Sequence, residues 1–239
     1  MRFALRTDVG CVRTLNEDAA YAGDRLFVVC DGMGGHNAGE VASAMTVSML
    51  TEALCADEIT PNIRSLRKAV EAANLGILRA ASADENRRGM GTTLSALWAD
   101  SEAMLLAQVG DSRIYLLRGG ILRQCTHDHS MVAELVRQGR LTPEEARVHP
   151  QRNLITRAVG TERRVEVDFF EEPRRAGDRW LLCSDGLSGV VSDEEIAAAL
   201  STQDEKAAAD ELMRIALTRG APDNVTLIVL DDETGGESA

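Results

Sequence analysis

No stretch of this chain approaches the roughly 18 consecutive apolar residues of a membrane span. The opening run, Met1-Arg2-Phe3-Ala4-Leu5-Arg6, is too short and too interrupted for a secretory signal. The cysteines Cys11, Cys30, Cys55, Cys125 and Cys183 contain no C-x-x-C pair. An odd, scattered set offers no disulfide framework and points to a reducing compartment. Basic residues are in the minority, with 26 Lys and Arg against 38 Asp and Glu and a formal net charge of −12. No basic stripe stands out, which disfavours nucleic-acid binding, since that affinity rests on phosphate neutralisation. A soluble cytoplasmic protein, without a membrane anchor and monomeric, is the expectation. Its 239 residues, 44% of them hydrophobic, suffice for a sizeable core.

What is present is a set of four aspartates, each beside an apolar run. Phe27-Val28-Val29-Cys30 precedes Asp31, Leu105-Leu106-Ala107-Gln108-Val109-Gly110 precedes Asp111, and Trp180-Leu181-Leu182-Cys183-Ser184 precedes Asp185. Asp223-Asn224 instead comes before its run, Val225 to Leu230. Such runs read as buried strands. A carboxylate at a strand end sits in a loop mouth and escapes burial as an unpaired charge. If three strands leave and one enters at the same edge, the four carboxylates converge. Their mutual repulsion then calls for hard divalent cations, Mg²⁺ or Mn²⁺.

Periodicity supplies the frame. Strands are predicted at Phe3 to Arg6, Arg25 to Cys30, Thr92 to Trp98, Ala103 to Val109, Arg113 to Leu117, Ile121 to Cys125, Val165 to Phe170, Trp180 to Cys183 and Val225 to Leu230. Helices are predicted from Gly39 to Leu54, from Pro61 onward with Ile63, Leu66, Val70, Ala73 and Ile77 on one face, and from Glu205 to Thr218. Capping boxes at Thr142 and Ser192 open shorter ones, and Met131 to Gln138 reads as another. Helices in early and late pairs, with strands clustered between, favour antiparallel sheets with helices outside over a parallel βαβ alternation. The expected organisation is one domain over 1–232 with an irregular insertion at 126–157, then a polar tail at 233–239.

The glycine-rich turn after Asp31 fits no nucleotide motif. Gly32 and Gly34 match a dinucleotide fingerprint, but its third glycine is replaced by Asn37. Gly34 and Gly39 match the phosphate-loop spacing, but Glu40 stands where lysine is needed. These glycines instead let the backbone turn sharply and bring the Gly32 carbonyl close to a cation. His127-Asp128-His129 is read as loop histidines rather than a metal pair, because no further histidine stands at ligand spacing.

Several short motifs, in order, carry a family resemblance. Arg13-Thr14-Leu15-Asn16-Glu17-Asp18, Asp31-Gly32-Met33-Gly34-Gly35-His36, Gly91-Thr92-Thr93, Val109-Gly110-Asp111-Ser112-Arg113, Ser184-Asp185-Gly186-Leu187 and Pro222-Asp223-Asn224-Val225 resemble the bacterial metal-dependent protein phosphatases of the phosphatase 2C (PPM) type. The resemblance implies an α+β fold, a four-layer αββα sandwich of two antiparallel sheets flanked by helix pairs. It implies a binuclear Mn²⁺/Mg²⁺ centre in which Asp31 bridges, Asp185 and Asp223 hold one ion, the Gly32 carbonyl serves the other, and Glu17 acts through water. Asp111 with Asp185 would hold a third ion, and Asp18 and Asn224 would support the ligands from behind. The 126–157 segment corresponds to a flap.

The chemistry implied is hydrolysis of phosphoserine or phosphothreonine by direct attack of a metal-bridging water. No C-x5-R loop offers a thiol nucleophile. Arg13 would clamp phosphoryl oxygens with its planar fork, and His36 is the candidate general acid, because Met33 follows Asp31-Gly32 and cannot donate a proton. Phosphorylated proteins are the expected substrates, with a eukaryotic-like Ser/Thr kinase and its targets as the default. The rivals are an inactive phosphoprotein-binding module and a partner-switching phosphatase acting on a regulatory antagonist protein.

Overall fold

The computed structural model describes residues 1–34, 38–56, 59–202 and 204–233. Two antiparallel sheets lie at its centre. One runs β1 (Arg2–Asp8), β11 (Val225–Asp232), β10 (Asp178–Cys183), β7 (Arg113–Arg118) and β8 (Ile121–Gln124) in spatial order. The other runs β2 (Asp18–Ala22), β3 (Leu26–Met33), β5 (Leu94–Ala99), β6 (Ala103–Val109) and β9 (Asp168–Pro173), with the short β4 (Gly91–Thr92) paired to the end of β3.

Period-two alternation decides what each strand face touches. On β3, Leu26, Val28 and Cys30 point to the helices α1 (Gly39–Leu54) and α2 (Ile63–Ala83), packing with Ala42, Leu50, Leu66 and Val70. The intervening Phe27 and Val29 join Ile114, Leu116, Trp180, Leu182 and Ile228 between the sheets. On β10 the assignment is the mirror image. Leu181 and Cys183 face α6 (Asp193–Leu200) and α7 (Glu205–Thr218), and Trp180 and Leu182 face the other sheet. Central strands buried on both faces explain why their sequences read as continuous apolar runs. The result is the four-layer αββα sandwich.

The boundaries differ from expectation in instructive places. Asp31 is not at a loop mouth: it lies inside β3, which continues to Met33 and pairs Asp18 with Asp31 across β2. β2 was absent from the sequence expectation, since Asp-Ala-Ala-Tyr-Ala is poor in β-branched residues and sits half-buried at an edge. Pro61 precedes α2 rather than opening it, and Asn62 caps the helix by accepting from the Ser65 N–H. The expected strand from Thr92 to Trp98 is split at Thr93, whose N–H donates to the Asp31 carbonyl. A one-turn helix, α5 (Asp185–Ser188), begins at Asp185 itself.

The 126–157 segment carries α3 (Met131–Arg137) and α4 (Pro143–Arg147), and a bridge between Ser130 and Ile155 draws its ends together. No described helix is long and apolar enough to cross a membrane.

Candidate active site

One end of the sandwich gathers the carboxylates. Asp31 comes from β3 and Asp111 from the turn after β6, both in one sheet. Asp185 follows β10 and Asp223 precedes β11, neighbours in the other. β10 and β11 are antiparallel, so a residue leaving the first and a residue entering the second meet at the same edge. Strand polarity thus brings Asp185 and Asp223 to one edge, and the packing of the two sheets brings that edge to Asp31 and Asp111.

The electrostatics record that convergence. Burial pushes Asp31 well above the ordinary carboxylate range, and the negative charges of Asp185, Asp18, Asp111 and Asp223 push it further. Asp111 is raised well above its usual value by burial and then by Asp185 and Asp128. Asp185 is raised by burial and by Asp223, against a hydrogen bond with Asp31 that acts the other way. Asp18 is pushed up to about 7, chiefly by burial, although the Ser184 hydroxyl donates to its Oδ2 at 2.8 Å. Several carboxyls that each favour a proton in one another's presence form a site that a cation would satisfy.

Individual oxygens fit that reading. Asp185 Oδ1 and Asp18 Oδ1 are buried without a hydrogen-bond partner among the described residues, a costly state unless something else is bound. Among the described residues no three His, Cys, Asp or Glu side chains close around one point. A hydrated divalent ion held in part through water does not require it, since Mg²⁺ usually keeps several of its waters.

Glycines shape the approach. The Gly32 N–H donates to the Glu17 carbonyl at 3.1 Å. A Cβ at Gly32 would stand 2.2 Å from the Gly39 carbonyl oxygen and 2.5 Å from that of Glu17. A Cβ at Gly39 would meet Glu17 Oε1 at 2.6 Å and the Gly32 oxygen at 2.9 Å. The Gly32 carbonyl and the Glu17 carboxylate therefore share one crowded pocket that admits no side chain between them. Burial is the main cause raising Glu17, offset in part by Arg13.

Arg13 stands over this cluster. Its Nη2 donates to Asp223 Oδ2 at 2.9 Å, and its Nη1 lies 4.0 Å from Glu17 Oε2. Asn224 ties the two ends of the chain together: its Oδ1 accepts from the Glu17 N–H at 2.8 Å and its Nδ2 donates to the Val9 and Leu15 carbonyls, both at 2.9 Å. Gly35, His36 and Asn37 lie outside the described residues, and with them the candidate general acid.

The family model Protein phosphatase 2C matches residues 13–224, a span that contains all of these side chains. The chain belongs to the protein phosphatase 2C family. It is 47% identical to the serine/threonine protein phosphatase PstP of Mycobacterium tuberculosis, over 97% of this chain but 45% of that protein, and so spans less than half of that relative's length. It is 41% identical to the serine/threonine phosphatase stp of Listeria monocytogenes, over 97% of this chain and 96% of the relative. Among solved structures, the catalytic domain of PstP in complex with two manganese ions superposes with a TM-score of 0.90 at 45% identity, covering 96% of this chain and 97% of that one.

In this phosphatase 2C chain the aspartates are braced by hydroxyls that the sequence reading quoted but gave no role. The Asp31 N–H donates to Thr93 Oγ1, the Thr92 hydroxyl donates to the Asp31 carbonyl, and Thr93 Oγ1 shares a 2.7 Å hydrogen bond with Ser112 Oγ. Ser184 Oγ accepts from the Thr226 N–H at 3.0 Å while donating to Asp18. The available signal was a small hydroxyl residue directly beside a strand-end aspartate, as in Asp111-Ser112 and Ser184-Asp185.

The histidine pair divides. His127 is exposed and meets Phe170 edge-on. His129, also in the loop, is buried. Its Nδ1 accepts from the Gly110 N–H at 3.2 Å, and its Nε2 lies 3.0 Å from Asp168 Oδ2. That N–H donation fixes the tautomer, so Nε2 carries the proton given to Asp168. Arg157 bonds the other Asp168 oxygen at 3.0 Å. Between α3, α4 and the sheet ends lies a cleft of about 420 Å³ that reaches Asp111 and Asp185 and is lined also by Arg137, Arg147 and Arg152. Asp128, at its wall, grips Arg113 with both oxygens.

Proposed function

We propose that this chain is a metal-dependent protein serine/threonine phosphatase that hydrolyses phosphomonoesters. The carrying observation is the convergence of Asp31, Asp111, Asp185 and Asp223 on one end of the sandwich, with a buried Asp185 oxygen that has no partner among the described residues. The relatives named above support the reading, and the two manganese ions of PstP support the cofactor. Asp31, Asp185, Asp223, the Gly32 carbonyl and Glu17 would hold two Mn²⁺ or Mg²⁺ ions. Asp111 and Asp185 would take a third.

When bound, such cations neutralise phosphoryl charge and acidify water. The remaining work belongs to the chain. Arg13 would leave Asp223 and hold the phosphoryl oxygens in its planar fork, orienting phosphorus for in-line displacement. Asp18, Ser184 and Asn224 would keep the ligand-bearing loops in place. His36 would give its proton to the departing serine or threonine oxygen. The segment 126–157 would act as the flap, its cleft receiving the peptide around the phosphorylated residue. A cytoplasmic monomer acting on a phosphorylated eukaryotic-like Ser/Thr kinase and its targets is the biological setting we infer.

The deciding experiment is hydrolysis of p-nitrophenyl phosphate and of a phosphothreonine peptide with and without Mn²⁺. Turnover that requires the ion and disappears in Asp31→Asn and Asp185→Asn supports the enzyme. Binding of the phosphopeptide without turnover, at any Mn²⁺ or Mg²⁺ concentration, would leave the inactive binding module instead.

A further inference from the structure

Far along α2 from its cap, a loop is fastened to the helix by one side chain. Asn74 is buried; its Oδ1 accepts from the Gly160 N–H at 2.7 Å and its Nδ2 donates to the Glu162 carbonyl at 2.9 Å. Gly160 has a φ of +92°, and a Cβ there would strike Ile77 at 2.2 Å, so the loop lies flat against α2. Beside the seam is a groove of about 710 Å³ lined by Leu75, Leu78, Arg79, Ser82, Arg163 and Arg164 among others.

The groove's chemistry runs against the rest of the molecule. The chain has a net charge of −12, yet Arg79, Arg163 and Arg164 are all exposed and none is ion-paired among the described residues. Many arginines elsewhere are seated on carboxylates, as Arg113 on Asp128, Arg118 on Asp178 and Arg179 on Asp231. Leu75, 39% exposed, and Leu78 give this basic groove an apolar floor. We propose that the groove docks an acidic, extended segment of a protein partner, with carboxylates on Arg79, Arg163 and Arg164 and an apolar side chain against Leu75 and Leu78. Guanidinium forks match carboxylates, and the apolar floor gives a peptide something that an oligonucleotide cannot use. No aromatic side chain lines the groove for base stacking.

The same loop touches the frame of the candidate active site. Val159 and Thr92 exchange backbone hydrogen bonds at 2.8 and 3.0 Å, and the Thr92 hydroxyl holds the Asp31 carbonyl. A partner seated in the groove is therefore held at a fixed station relative to the carboxylates. The docking itself does not depend on turnover, so binding can be read separately.

The test is fluorescence anisotropy of a labelled Asp/Glu-rich peptide with a central leucine, titrated with the full chain. Binding should weaken with salt, and Arg79→Glu/Arg163→Glu/Arg164→Glu should weaken it at least about tenfold. Leu75→Ser should weaken it severalfold while leaving the salt dependence in place. The thermal melt of the triple variant and its turnover of p-nitrophenyl phosphate, if the parent has any, should match the parent. The proposal fails if the triple variant binds like the parent, or if a Lys/Arg-rich peptide binds as well as the acidic one. It also fails if an oligonucleotide or an anionic lipid vesicle binds more tightly and loses that binding in the same variant.

Discussion

Arg13 Nη2 donates to Asp223 Oδ2 at 2.9 Å, which places the phosphate-clamp candidate on a carboxylate assigned to the metal centre. Asp223 is the first cause raising the Arg13 guanidinium's pKa. The two proposed roles would compete, since a cation on Asp223 would weaken the ion pair and leave the fork free for phosphate. Arg13→Ala is therefore expected to raise KM for a phosphopeptide about ten- to a hundredfold, the equivalent of one charge-assisted contact of roughly 1.5–3 kcal/mol. The same variant should bind Mn²⁺ more tightly, because Asp223 no longer has to give up a partner. Steady-state kinetics and Mn²⁺ calorimetry check the two halves. A KM change no larger than that of Arg64→Ala, an exposed residue of α2, would end the clamp assignment.

Asn224 carries the loop from Val9 to Glu17 on three hydrogen bonds while its neighbour Asp223 faces the carboxylates. Asn224→Ala leaves two carbonyls and one N–H without their partner in a part-buried setting. A loss of about 2–3 kcal/mol in urea unfolding is expected. Because Glu17 and Arg13 are both placed by this loop, kcat/KM should fall further than stability explains. Asn224→Asp, which keeps the acceptor for the Glu17 N–H but loses both donations and adds charge, should not rescue either quantity.

The strand frame was legible because the central strands are buried on both faces: Ala103–Val109 and α7 emerge at the predicted residues. Composition misleads where an element is held by its neighbours instead. β2 exists because β3 offers it a ladder, and α5 exists because the chain must turn at Asp185, with the Gly189 N–H returning to the Asp185 carbonyl at 2.7 Å. The aspartates could be nominated from the sequence, but their sharing of one site depends on two sheets packing with matched ends. The hydroxyl braces at Thr93, Ser112 and Ser184 were hidden because serine and threonine beside a turn have ordinary local uses.

His129 supplies a pH dependence of stability with a definite sign. Burial is the first cause holding it below its ordinary value of 6.5, against a raising contribution from Asp168. A histidine that is harder to protonate when folded binds fewer protons than it does unfolded, so its stabilisation is present above 6.5 and is lost as pH falls below that value. Asp168 is likewise held below its ordinary 3.8, lowered by His129 and Arg157 against burial, so its contribution is lost only at more acidic pH. His129 should lower the urea midpoint between pH 7 and 5.5, against Asp18, Asp31, Asp111 and Asp185, whose raised pKa values stabilise the folded protein as pH falls. His129→Gln, which cannot gain a proton, should remove that downward contribution from the slope while lowering stability at pH 7. An unchanged slope in the variant would show that other groups carry it.

Asp185→Asn separates the metal reading from a purely structural one. In the metal-free protein Asp185 sits beside Asp31 and Asp223 and is raised by burial and by the Asp223 charge. Neutralising it removes repulsion, so the EDTA-treated variant should melt at or above the EDTA-treated parent. Mn²⁺ should reverse the order. A ligand that binds only the folded state stabilises by about 2.7 kcal/mol at a hundred times its Kd, and the parent should gain that increment where the variant gains little. Differential scanning calorimetry with EDTA and then with saturating Mn²⁺ reads both. If Asp185→Asn destabilised the metal-free protein and left the Mn²⁺ increment intact, Asp185 would be a structural turn residue and the cluster of carboxylates would need another explanation.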